Sequence, residues 1–228
     1  AVGAASFASW KRGVTPAKME HVFLGPRYST EEGIDACESH PGHPVYEKTG
    51  NIVERAAELL NAGNPVAWCQ GRMEFGPRAL GGRSILGSPS YGGIANKINE
   101  QIKFRERWRP FCPSVLDTVA KDMIQTDHPA PYMTITFEVS EEWKSRIPEV
   151  VHEDGTSRVQ IVEESTNPRY HALLKEMERL NGNGAVLNTS MNRRGEPMVC
   201  SPTDALNMFF GSDLEYLVLE DLLVTKRK

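Results

Sequence analysis

Residues 70–110 read QGRMEFGPRALGGRSILGSPSYGGIANKINEQIKFRERWRP. The stretch holds eight basic residues (Arg72, Arg78, Arg83, Lys97, Lys103, Arg105, Arg107, Arg109) against three acids (Glu74, Glu100, Glu106), in a chain whose formal net charge is −4. A basic island in an acidic protein points to a localised anionic ligand, whereas a protein that coats nucleic acid carries its positive charge over a whole face. Gly71, Gly76, Gly81, Gly82, Gly87, Gly92 and Gly93 punctuate the same stretch. Glycine lets backbone N–H groups approach a ligand, and successive turn amides with arginine forks make an anion nest. The competing reading is a surface loop whose arginines pair with nearby acids. Neither GxxxxGK[ST] nor GxGxxG is present, so a bound nucleotide would be held without a P-loop or a dinucleotide fingerprint.

Outward from this stretch, the segment PVAWCQ (65–70) reads as a buried strand delivering the chain into the glycine-rich turns, a common way to place a ligand at the end of a sheet. Ser29 followed by Glu31 and Glu32 marks a helix start, and residues 51–61 form a helix ended by Gly63. Residues 38–50 are turn-rich; His40 and His43 flank Pro41-Gly42 there, which argues for an exposed turn over a metal site. Residues 91–103 read as a helix with Ile94, Ile98 and Ile102 on one face and Lys97 off that stripe. Residues 117–124 read as a short helix, 133–139 as a strand, and 147–162 as a hairpin turning at Asp154-Gly155. Asn167 and Pro168 open a helix that runs to Gly182, with His171 on its solvent side, and Ser201 and Pro202 open another. AVLNTSMN (185–192) reads as a strand running into a polar turn, and alternation puts Asn188, Ser190 and Asn192 on one face. YLVL and LLVT close the sheet, and KRK is a charged tail. Strands and helices mix without strict βαβ alternation, which predicts an α/β fold on an open, twisted, mixed sheet with flanking helices.

At 228 residues, 39% hydrophobic and 25% charged, the chain has the composition of a soluble globular protein of one large domain or one domain with an appendage. No apolar run approaches the roughly 20 residues of a membrane span. The four cysteines are far apart in sequence and form no CxxC pair, which suits free thiols in a reducing cytoplasm.

Four motifs in order, GRMEFGPRALGGRSIL (71–86), IKFRERWRPFCPSVL (102–116), HEDGTSRVQIV (152–162) and LNTSMNRRGEPMVCSPTDAL (187–206), resemble the carboxy-terminal half of the O-carbamoyltransferases related to NodU, CmcH and TobZ. Within them, Lys103-x-Arg105 and Ser190-x-Asn192 resemble the signature of the YrdC family, which makes threonylcarbamoyl adenylate. The resemblance implies a YrdC-like fold with a basic concave surface, spanning 29–228. It implies that 1–28 is the end of an upstream metal-dependent transferase domain, AVGAASFASWKRG, followed by a linker. It implies that the domain converts carbamoyl phosphate and Mg-ATP into carbamoyl adenylate. Lys103, Arg105, Ser190 and Asn192 would carry the chemistry, with Arg72, Lys97, Arg158 and Asn188 holding the nucleotide and phosphates. ATP and its Mg2+ would be the cofactors, with no resident metal, membrane or nucleic-acid partner. His152 and Asp154 would orient their loop. Gly82 stands where the family pattern has Asn, and Met191 where it has Phe. The alternatives are a nucleotide-sensing module without catalysis, or an RNA-binding one, since Phe104, Trp108 and Phe111 interleave with cations.

Overall fold

Val66–Cys69 is a strand with all four residues buried, and its side chains divide between two cores. Val66 and Trp68 face one cluster, Ala67 and Cys69 the other. That period of two is the signature of a strand covered on both faces, and it sets the architecture: a sheet sandwiched between helices. The computed structural model describes residues 2–106 and 108–227. Ala1, Arg107 and Lys228, which belong to the opening segment, the basic stretch and the charged tail, lie outside the described residues.

The strands are β1 (Val45–Lys48), β2 (Val66–Cys69), β3 (Arg83–Gly87), β4 (Cys112–Leu116), β5 (Phe137–Glu138), β6 (Thr156–Ser157), β7 (Gln160–Val162), β8 (Ala185–Ser190), β9 (Tyr216–Leu219) and β10 (Leu222–Thr225). Eight form one sheet in the order β1-β10-β9-β2-β3-β8-β4-β7, while β5 and β6 make a separate ribbon. The sheet is mixed: β2 with β9 and β4 with β7 run parallel, and the other neighbours are antiparallel. The helices are α1 (Val2–Lys11), α2 (Thr30–Ser39), α3 (Ile52–Asn61), α4 (Ile94–Ile98), α5 (Asp117–Ile124), α6 (Glu141–Arg146), α7 (Pro168–Asn181) and α8 (Pro202–Phe210). On one face α3 and α7 supply Ala56, Leu60, Tyr170, Leu173 and Met177. On the other, α4, α5, α6 and α8 supply Ile94, Ile98, Met123, Trp143, Leu206 and Phe209. None of the described residues of α1 is buried. Among the described residues no helix is long and apolar enough to cross a membrane.

Caps set the helix starts. Ser29 and Ser201 each accept from the backbone N–H three residues on, and Glu32 and Asp204 answer with reciprocal bonds. Elsewhere local chemistry departs from the pattern-based expectation. The helix expected over 91–103 stops at Ile98 and widens into a π turn over Asn99–Lys103. Ile94, Ile98 and Ile102 are all fully buried, and the wide turn carries Lys103 inward with them. The strand expected over 133–139 shrinks to Phe137–Glu138, and Met133 at its expected start takes a left-handed φ of 52°. No hairpin forms over 147–162: Pro148 opens a 3-10 turn, β6 pairs with β5, and β7 joins β4. Residues 38–50 contribute the edge strand β1, whose partner is β10. His171 is 4% exposed and bonded to Asp117 at 3.2 Å, not solvated, because the start of α7 packs against that of α5. His40 is buried, stacked on Phe210 at a centroid distance of 4.7 Å.

Between β2 and β3 the chain makes the loop 70–82. Its organiser is Glu74, whose buried carboxylate accepts from the N–H groups of Leu80 (2.5 Å), Gly82 (3.1 Å) and Arg83 (3.3 Å). The Trp68 indole donates to the Gly81 carbonyl at 3.0 Å. A Cβ at Gly82 would lie 2.5 Å from Glu74 Oε2, so the absence of a side chain there makes room for the carboxylate. Met191 is fully buried, so that second departure from the family pattern is a packing change.

The packing of this loop on α7 can be tested at Gly81. It has φ +100°, and an added Cβ would sit 2.3 Å from the Tyr170 ring. Gly81→Ala is expected to cost about 2–4 kcal/mol, seen as a Tm lowered by roughly 5–15 °C. Gly92→Ala, whose Cβ meets nothing within 4 Å, is the control and should move Tm by less than about 2 °C. Equal melting of the two variants would mean that the loop does not pack on α7 as described.

Candidate functional site

The end of β8 and the π turn meet at Lys103. The lysine is 6% exposed, and its ammonium donates to Asn192 Oδ1 (2.8 Å), the Asn192 carbonyl (3.0 Å), Ser190 Oγ (3.2 Å) and the Ser190 carbonyl (2.5 Å). Ser190 Oγ in turn donates to Asn192 Oδ1 at 2.6 Å. The two short motifs, separated by 85 residues or more of sequence, thus close on one another through a single ammonium group. Burial, and next the Arg105 charge, press the Lys103 pKa down to about 7.

Phe104 turns left-handed with φ 46° and ends the π turn. Asn99 then grips the next residue at both backbone groups, donating to the Arg105 carbonyl (2.7 Å) and accepting from its N–H (3.3 Å). So held, the Arg105 guanidinium lies 4.0 Å above the Phe111 ring. Its Nε and Nη2 are enclosed and have no hydrogen-bond partner. Burial, followed by Arg109, holds its pKa below the ordinary guanidinium value. Arg158 donates from Nη2 to Cys112 Sγ at 3.0 Å, and its Nε is likewise enclosed without a partner. Arg78 is pushed down by burial and then by Arg158.

These side chains line one cleft of about 140 Å3, together with Arg109, Pro77, Ala79, Pro110, Phe111, Cys112, Met133, Asn188, Thr189 and Ser190. Four arginines face it, and no carboxylate is among its described lining residues. A second cleft of about 510 Å3 shares Arg109, Pro110 and Phe111 with it and continues past Trp108 and Asn96 to His152. His152 bonds Thr156 Oγ1 at 3.1 Å, and Thr156 donates to Asp154 at 2.7 Å, so this trio holds its own loop in shape.

Of the expected site residues, the fold brings together Lys103, Arg105, Arg158, Asn188, Ser190 and Asn192. Lys103 and Asn192 sit behind Ser190 and do not line the arginine cleft itself. Arg72 and Lys97 are elsewhere. Arg72 lines a separate 630 Å3 pocket beside Gln70, Arg169, Glu220 and Asp221, because Gly71 turns left-handed (φ 56°) and directs the chain toward Leu24. Lys97 donates to the Gly63 carbonyl at 3.3 Å from the shortened α4. Sequence reasoning did not single out Arg78 or Arg109 for the site, nor the buried Ser114 and Gln160 that flank Asn188. Arg83, counted in the basic island, is 1% exposed and donates to the carbonyls of Gln70, Gly71, Gly82 and Cys200, which makes it a brace of the loop.

Comparison with known proteins bears on the fold and the family. The uncharacterized protein sll1178 of Synechocystis sp. is 40% identical over 92% of this chain, and the nodulation protein NolO of Bradyrhizobium diazoefficiens is 36% identical over the whole of it. The chain spans well under half the length of these relatives, 38% and 42% respectively. Among solved structures, HypF of T. kodakarensis superposes with a TM-score of 0.53 at 18% identity, covering 81% of this chain and 23% of that one. Sua5 of P. abyssi, complexed with L-threonine, gives 0.52 at 16%, covering 74% and 46%. These likenesses show the expected YrdC-like fold. The family model for the carbamoyltransferase C-terminus matches residues 57–226, a span that takes in all four motifs and the arginine cleft, and the chain belongs to that family.

Proposed function

We propose that this domain activates a carbamoyl group by adenylation. Carbamoyl phosphate would be hydrolysed to carbamate and phosphate. A carbamate oxygen would then attack the α-phosphorus of Mg-ATP, forming carbamoyl adenylate and expelling pyrophosphate. The carbamoyl group would pass to an acceptor hydroxyl through a transferase domain of the longer polypeptide. The observation that carries this reading is the acid-free cleft in which Arg78, Arg105, Arg109 and Arg158 converge, two of them with enclosed N–H groups that no protein atom accepts. Buried donors without partners are costly, and phosphate oxygens would satisfy them.

Phosphoryl and adenylyl transfers need positioned positive charge more than a covalent nucleophile, and the cleft offers charge. At about 140 Å3 it suits a phosphate-bearing moiety, and the adjoining 510 Å3 cleft is of the size that accommodates the rest of a nucleotide. Lys103 and Asn192 would act by holding Ser190 at the cleft wall. Magnesium would enter with the triphosphate, as part of the substrate. An RNA-stacking platform is less well supported, because Phe111 is buried beneath Arg105.

Two measurements test the proposal. In ATP–pyrophosphate exchange dependent on carbamoyl phosphate, Arg105→Ala is expected to lower the rate by roughly 10²–10³ with the thermal midpoint little changed, while Arg72→Ala and Lys97→Ala retain near wild-type rates. Exchange surviving in a folded Arg105→Ala variant would refute the assignment.

The second concerns protons. With its pKa pressed down to about 7 in the free site, Lys103 gives up part of its charge as pH rises from 7 to 8. An anion beside it favours the ammonium, so binding raises that pKa and takes up a proton. The advantage in phosphate affinity of the unaltered chain over Lys103→Met should therefore fall as pH rises through 7, a comparison in which phosphate's own ionisation cancels. Calorimetry at pH 8 in buffers of different ionisation enthalpy should show uptake that is absent in Lys103→Met. Binding without proton uptake would mean that Lys103 does not titrate with the site.

A further inference from the structure

The arginine cleft contains one group of the wrong polarity for a phosphate. Asn188 is 2% exposed and lines the cleft, and its amide is locked by a buried network. Its Nδ2 donates to the Ala79 carbonyl (3.1 Å), to Ser114 Oγ (2.9 Å) and to Gln160 Oε1 (3.3 Å). Two of those partners, the Ala79 carbonyl and Gln160 Oε1, cannot donate. Gln160 Nε2 is committed to the Leu80 carbonyl at 3.0 Å, which turns Oε1 toward Asn188. The Ser114 hydroxyl spends its proton on that same Oε1 at 2.6 Å. Flipping the Asn188 amide would set its oxygen against the Ala79 carbonyl and Gln160 Oε1, neither of which can donate. The orientation is therefore determined, and it leaves Asn188 Oδ1 enclosed with no donor.

An acceptor in such a place repels phosphate oxygens, which are themselves acceptors. It is satisfied by a ligand that joins an anionic group to an N–H. The carbamoyl group is built that way: its amino group lies a short distance from the phosphate. Acetyl phosphate has the same shape with a methyl in place of the amino group, and would leave Oδ1 unpaired. Resting on the function proposed above, we propose that Asn188 Oδ1 accepts a hydrogen bond from the carbamoyl amino group and selects carbamoyl phosphate over other acyl phosphates. Ser114 and Gln160 are the positioning residues that hold the amide this way round.

The test is calorimetric binding of carbamoyl phosphate, acetyl phosphate and inorganic phosphate to the chain and to its Asn188→Ala and Ser114→Ala variants. Where carbamoyl phosphate decays too fast, phosphonoacetamide and its methyl ketone analogue replace the two acyl phosphates. The chain should bind the carbamoyl compound roughly tenfold or more tightly than its methyl counterpart. In Asn188→Ala the ratio should fall to near one whatever the absolute affinities, and in Ser114→Ala it should narrow. A ratio near one in the unaltered chain overturns the inference while leaving the anion site standing, as does a ratio that survives in Asn188→Ala. If Asn188→Ala does not fold, an unchanged ratio in Ser114→Ala overturns it. If none of the three phosphates binds, the proposed function fails with it.

Discussion

Four guanidinium groups converge on a small cleft without a carboxylate among its described lining residues, and the surrounding structure is arranged to make that tolerable. Like charges held close together repel, and burial penalises Arg78 and Arg105. The protein answers with neutral restraints. A π face lies beneath Arg105, a thiol sulfur accepts from Arg158, and an asparagine grips the Arg105 backbone at both ends. None of these cancels charge, and among the described residues the ion pair at the cleft is the exposed one of Arg109 with Glu106 at 3.8 Å.

The same logic runs through the neighbouring loop. Glu74 and Arg83 are buried charged groups whose bonds go to backbone amides and carbonyls. Each acts as a multi-armed hydrogen-bonding brace, shaping glycine-rich backbone that has little side-chain packing of its own. The two kinds of arginine, brace and cleft-lining, lie five positions apart at Arg83 and Arg78 and are identical in composition statistics. Separating them requires knowing which residue falls on a buried strand: Arg83 opens β3 and points into the protein, whereas Arg78 lies in the loop before it.

That distinction explains how far the sequence could be read. The strands β2, β8, β9 and β10 and the capped helices α2, α7 and α8 follow from period, caps and glycine stops, because those signals are local. The pairing of Lys103 with Ser190 and Asn192 was legible through motifs that are distant in the chain. What escaped was settled by tertiary contact. The π turn under Lys103 has no sequence signature. The burial of His171 depends on where α5 begins. β1 reads as a turn-rich segment until β10 is there to pair with it. Arg72 and Lys97 carry the right charge, but backbone direction after Gly71 and the early end of α4 send them elsewhere.

The order of the strands bears on how the polypeptide is made. β2 lies between β3 and β9, and β1 pairs with β10, so the first two strands acquire partners from β9 and β10, the last two. On the ribosome, the apolar β2 emerges about 150 residues before the strand that covers its open edge. Loops of that length are slow to close, and an unpaired apolar edge invites the wrong neighbour meanwhile. The sheet therefore cannot be completed until β9 and β10 have been made, which makes their hairpin the closing step of folding and leaves apolar surface exposed on the half-made domain.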